Sequence, residues 1–162
     1  MKRLRAQFFS ILAVLFMTQS GWADPVTWYL HDVVFDDGGT ATGWFEYIET
    51  EGAPGALFIR TTGGTGGFGE QTYRYWNSAL GDVAATTGPA SGSAAQAAGD
   101  AVFAMEFLQS LSASDQPVNL RDTSREGICR QSGCRNIVGP AGAGGTDDSA
   151  RYVVSGFVST ER

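Results

Sequence analysis

Lysine is almost missing from this chain: Lys2 is the only one in 162 residues. That scarcity excludes Schiff-base chemistry, a phosphate-loop lysine and a Ser-Lys dyad, because each depends on a lysine amine. Histidine is as rare. His31 stands alone, so a Ser-His-Asp or Cys-His centre would have to use it, and no Gly-x-Ser-x-Gly elbow accompanies it. The two cysteines are too few for a zinc site, which would find only His31 as a further soft ligand. No apolar run approaches the roughly 18 residues a membrane-spanning helix requires.

What the N-terminus does have is a secretory signal. Lys2, Arg3 and Arg5 precede an apolar run from Phe8 to Met17 that only Ser10 interrupts, and Gly21 and Ala23 put small side chains just before Asp24. A helix of that length rises about 15 Å, roughly half the hydrocarbon thickness. The pattern predicts a cleavable signal over 1–23 and one mature domain over 24–162, beginning at Asp24. Cleavage removes three cations and leaves 8 Arg against 17 Asp and Glu, a balance of −9. A lysine-free acidic surface speaks against nucleic acid and against anionic membranes as partners, since counterion release needs clustered cations. Without a second apolar segment, no stable membrane insertion is expected after cleavage.

With 22 glycines and an aromatic content of 12%, short apolar runs between glycine clusters read as strands and turns. The opening is the best patterned stretch. Trp28 and Leu30 share one face, as do Val33 and Phe35, but the parity slips between the pairs. One extra residue at His31–Asp32, a β-bulge, restores it. Asp37-Gly38-Gly39 supplies a tight turn, and the return strand puts Ala41, Gly43, Phe45 and Tyr47 on one face and Thr40, Thr42, Trp44 and Glu46 on the other. Further strands are expected at Leu57–Thr61, around Tyr73–Trp76, at Ala101–Phe107 and at Val118–Leu120. The last is expected at Arg151–Ser159, with Tyr152, Val154 and Val158 alternating against Val153, Ser155 and Phe157. The small-residue stretch 81–100 reads as a long loop with one helical turn near Ala94–Ala98, and 139–148 as another loop. The sum is an all-β domain, a single antiparallel β-sandwich or flattened barrel of about six to eight strands. Unpaired, the last strand would expose a long apolar edge, so it is expected to close the sheet against the opening strand. Gly156 would then face a bulky neighbour, Trp28 or Tyr29.

Cys129 and Cys134, an even pair around a turn-prone Arg-Gln-Ser-Gly, predict a structural disulfide in an exported chain. Gly64-Thr65-Gly66-Gly67-Phe68-Gly69 matches the letters of a dinucleotide loop, but no helix follows it to hold a pyrophosphate, so it reads as a surface loop and no cofactor is expected. Asp36-Asp37 and Asp147-Asp148 lack a calcium-loop spacing, and no metal site is expected. Trp44, Tyr73, Tyr75 and Trp76 are either core or an aromatic platform for a sugar or a partner.

The motif Trp28-x-Leu30-x-x-Val33-x-Phe35-x-Asp37-Gly38-Gly39-Thr40-Ala41-x-Gly43-x-Phe45-x-Tyr47, with the late Arg151-x-x-x-x-Gly156-x-Val158, resembles a broad set of exported bacterial proteins, many of which end in a PEP-CTERM sorting tail. The resemblance covers both ends of the mature chain and implies location and fold rather than an activity. This chain stops at Arg162 without a Pro-Glu-Pro motif or a terminal hydrophobic helix, so a secreted or periplasmic protein is expected. The leading expectation is a non-enzymatic exported domain with a structural or binding role at the cell exterior. The alternatives are a small barrel enclosing an apolar ligand and a hydrolase whose catalytic residues the sequence does not reveal.

Overall fold

The computed structural model describes residues 24–76, 82–87, 99–112, 116–129, 137–138 and 150–162. The expected signal at 1–23, the helical turn at 94–98, Cys134 and the 139–148 loop lie outside them. Eleven strand segments follow in order: β1 (Val26–Phe35), β2 (Thr40–Ile48), β3 (Ala53–Thr61), β4 (Gln71–Tyr73), β5 (Tyr75–Trp76), β6 (Val83–Thr86), β7 (Ala101–Met105), β8 (Val118–Asn119), β9 (Arg125–Cys129), β10 (Ile137–Val138) and β11 (Arg151–Ser159). No helix occurs among the described residues.

The strands form one antiparallel sheet in the order β4-β3-β2-β1-β11-β9-β7-β6-β5, with β10 beside β9 and β8 beside β11. Its two ends are nearly joined, because only Arg74 separates β4 from β5. The Arg74 N–H donates to the Thr86 carbonyl at 3.2 Å, so the stretch 71–76 leaves β3 and arrives at β6 without a break. On the opposite side β11 makes the same transfer. Arg151 and Tyr152 pair with β9, while Val153–Ser159 pairs with β1. Two strands that change partners midway thus fold the sheet into a flattened barrel, the all-β architecture expected, with the first and last strands of the domain paired.

The expected bulge is present. Leu30 pairs with Gly43 and Val33 with Ala41, leaving one extra residue on β1, and Asp32 adopts φ +51°. Trp28, Leu30, Val33 and Phe35 therefore all point inward. β11 carries an irregularity that the alternation did not reveal. Phe35 pairs with Val153 and Val34 with Ser155, which leaves Val154 extra, and Gly156 has φ +138°. Val153 and Val158 are accordingly the inward residues, while Tyr152 and Val154 face solvent, which corrects the expected faces. The residue opposite Gly156 is Val33, not Trp28 or Tyr29. A Cβ on Gly156 would lie 2.7 Å from Val33 Cγ2 and 2.8 Å from its Cα.

Inside, Phe35 meets Phe103 edge to face at 5.4 Å, and Phe45 packs on Phe107 at 6.0 Å. Trp28, Ile59, Met105 and Val83 fill the space around them. Burying each such side chain contributes about 1.5–3 kcal/mol. The stretch 81–100 is not all loop. Val83–Thr86 is a strand with every residue buried, lying between β5 and β7. Its Ala84 joins Val102, Ala104 and Cys129 in a second buried cluster.

Candidate functional site

The sequence put carboxylates and an arginine in ordinary turn and strand positions, and the fold buries them together. Arg151 opens β11 on the same inward face as Val153, and Glu126 points into the barrel from β9; both side chains are essentially inaccessible. Arg151 Nε and Nη2 donate to Glu126 Oε2 at 2.9 and 2.6 Å. The other carboxylate oxygen accepts from Tyr73 Oη at 2.6 Å and from Thr61 Oγ1 at 2.9 Å. Arg151 Nη1 lies 3.3 Å from both oxygens of Asp37, in the turn between β1 and β2. The guanidinium is held between two rings, its carbon 4.1 Å from the Phe35 centroid and 4.7 Å from that of Phe68. The hydrogen bonds alone tie together β11, β9, β4, β3 and the β1–β2 turn, and the two rings add β1 and the glycine-rich loop.

Burial pushes the Glu126 carboxyl above its ordinary value; the Tyr73 hydrogen bond, the Arg151 charge and the Thr61 hydroxyl pull it back without cancelling the effect. Tyr73 is held well above the usual phenol range by burial and then by the neighbouring carboxylate, so its hydroxyl remains a donor.

The glycine-rich stretch at 63–69 finds its physical reason here. Rather than standing free on the surface, it folds over Asp37 and lays Phe68, itself buried, on the guanidinium. Thr65 N–H donates to the Asp37 carbonyl at 2.9 Å, and a Cβ on Gly64 would collide with the Asp37 carboxylate. A side chain there would displace the carboxylate from Arg151. The Asp-Gly-Gly turn and the glycine loop are thus two halves of one cover. Asp36 is also engaged, its Oδ1 accepting the Tyr152 N–H at 3.1 Å. Among the described residues no group of three or more His, Cys, Asp or Glu is arranged to hold a metal; Asp147 and Asp148 lie outside them.

His31, on the bulge, has its ring stacked on Phe157 at 4.9 Å. Its Nε2 is 3.0 Å from Ser159 Oγ and 3.0 Å from the Glu161 carbonyl. The spacing resembles a Ser-His dyad. Ser159 Oγ also lies 3.0 Å from the Glu161 carbonyl, toward which it can donate, and which of Nε2 and Oγ donates to the other follows from the ring tautomer. A base for a serine nucleophile has to accept there. No carboxylate hydrogen-bonds the ring among the described residues.

The four aromatics considered as a platform do not act together. Tyr73 is core, Trp76 packs partly against the core, and Tyr75 is exposed at the far end of the sheet. Only Trp44 belongs to an outward aromatic surface, and its companions are different residues. Tyr29 on β1 pairs with Trp44 on β2, and Trp44 pairs with Phe58 on β3, so three half-buried rings form a row across three strands. The Arg74 guanidinium lies 5.2 Å from the Phe58 centroid. Beside the row runs a groove of about 430 Å³ lined by Thr27, Tyr29, Gly43, Trp44, Glu46 and Arg162. The row was readable in the sequence only in part, since it needs the register of three strands. Cys129 is buried; its expected partner, Cys134, lies outside the described residues. Set against known proteins, the chain matches no family model, no curated protein and no solved structure.

Proposed function

We propose that this chain is an exported, non-enzymatic β domain that binds a ligand at the cell exterior through the outer face of β1, β2 and β3. The observation that carries the reading is the row Tyr29–Trp44–Phe58 with its adjoining groove. Aromatic rings on a solvent face are costly to leave wet, and a groove beside them gives an occupant both walls and contact area. Two further features support it. The interior, where an apolar ligand would have to sit, is packed with Trp28, Phe35, Phe45 and Phe103 and closed at one end by the Arg151 cluster. Among the described residues no carboxylate hydrogen-bonds the His31 ring, the third member that a hydrolytic triad would use. Export rests on the basic and apolar leader at 1–23 and on the resemblance to PEP-CTERM-associated proteins, and a disulfide between Cys129 and Cys134, as the sequence predicts, would suit a secreted or periplasmic location.

Two measurements test the reading. The intact mass of the exported protein should correspond to a chain beginning at Asp24, and a mass retaining Met1–Ala23 refutes cleavage there. Screening a soluble fragment library by NMR should move the Trp44 indole resonance together with amides of 27–29 and 43–46. Hits that gather elsewhere on the domain, or no hits at all, overturn the assignment of the face.

A further inference from the structure

The chemistry of the groove goes beyond the existence of a binding face and, resting on that reading, names its ligand class. We infer that the groove beside Trp44 takes a neutral saccharide, one ring stacking on Trp44 and its neighbour on Tyr29. None of the six lining residues is aliphatic; they are aromatic, hydroxyl-bearing, charged or glycine. A surface built for an apolar peptide or an acyl chain would carry Leu, Ile or Val between the rings. Ring faces alternating with hydrogen-bonding groups suit a ligand with C–H faces and hydroxyl edges.

The polar groups of the groove are also available. Among the described residues nothing accepts a hydrogen bond from the Trp44 indole N–H, the Tyr29 hydroxyl or the Thr27 hydroxyl, although both aromatic side chains are half-buried. Glu46 is held in place through one oxygen, which accepts the Ala56 N–H at 3.2 Å, leaving the other to accept from a ligand hydroxyl. Local charge points the same way. Glu46 and Arg162 are the two charged side chains of the lining and cancel, and the domain around them is strongly acidic. An anionic ligand would be repelled at distance and gains no net cation on arrival; a neutral polyol meets neither obstacle.

Dimensions agree. Tyr29 and Trp44 occupy paired positions on adjacent strands, one step of about 4.8 Å, and Phe58 extends the row by another such step, so the rings cover a length comparable with a disaccharide. The groove volume falls within the range of about 300–1,000 Å³ typical of small-ligand sites. The bulge at His31–Asp32 follows directly on the Leu30–Gly43 pair, and Gly43 lines the groove, a placement beside a site that bulges commonly take.

The test is calorimetric titration of the exported protein with three probes: cellohexaose, maltohexaose and the hexamer of β-1,4-linked N-acetylglucosamine. At least one should bind, Trp44→Ala should weaken it about tenfold or more, and Trp44→Phe should recover part of the loss. Val154→Ala, on an exposed position away from the groove, should bind as the parent does. Thermal melting of each variant checks that the fold is kept. Silence of all three probes at millimolar concentration, or equal binding by Trp44→Ala, overturns the inference; so does preference for a uronate hexamer over all three. If other compounds still move the Trp44 indole resonance while the saccharides are silent, the ligand class fails and the binding face stands.

Discussion

Replacing Arg151 with methionine should reveal how much of the fold depends on its buried charges. The change keeps a long apolar stem between Phe35 and Phe68 but deletes the groups that meet Glu126 Oε2 at 2.6 and 2.9 Å and Asp37 at 3.3 Å. Glu126 is then a fully buried carboxylate with two hydroxyl donors and no cation. Leaving one partner of a buried pair uncompensated costs about 3–5 kcal/mol, against a typical total stability of about 5–15 kcal/mol. Glu126→Gln should cost less, about 1–3 kcal/mol, because Arg151 keeps the Asp37 carboxylate as counter-ion and the amide oxygen can accept from the guanidinium while its NH2 group turns to the hydroxyl oxygens of Tyr73 and Thr61. The double variant should cost less than the two single effects combined, since the second change removes the charge that the first one strands. Urea unfolding followed by tryptophan fluorescence reads all three, Trp28 being a buried reporter. The pH dependence is the sharper arm. A carboxyl whose folded pKa is raised favours the fold in its protonated form. Its contribution is complete below the unfolded value and is lost as pH rises through the folded one. Without the Arg151 charge to pull it down, Glu126 rises further, so the Arg151→Met penalty should be largest near pH 7 and shrink toward about pH 4. A penalty below about 1 kcal/mol, or one equal at both pH values, refutes the reasoning.

Three other outcomes are expected. Gly156→Ala, forced to φ +138° with its Cβ 2.8 Å from the Val33 backbone, should lose about 2 kcal/mol or more, and a chemical-denaturation midpoint equal to the parent's argues against that contact. Deleting residues 153–162 removes every β11 partner of β1 and should abolish cooperative thermal unfolding measured by circular dichroism; a retained transition means the barrel closes without its last strand. Unreduced, denatured protein should show no titratable thiol, and replacing Cys129 and Cys134 with serine should cost about 2 kcal/mol at most, since the closed loop is so short.

The alternation of residues by itself determined the β class, the opening hairpin, the bulge at His31–Asp32 and the pairing of the two ends, because each follows from side-chain period within one strand or from one exposed apolar edge. Tertiary structure decided the rest. Val83–Thr86 is a buried strand because it is paired on both sides, with β5 and with β7, a property of its neighbours and not of the segment. The slip at Val154 escaped notice because β11 is apolar on both faces, so its parity carries little information. Arg151 and Glu126 stand at inward positions of their strands, and a charge at a core position is a signal the sequence does contain. That they share one site with Asp37, Tyr73 and a glycine loop depends on contacts spanning up to 114 residues, which local pattern cannot specify. The outward row of Tyr29, Trp44 and Phe58 is of the same kind: each residue's face was legible, but only the register of three strands sets the rings side by side.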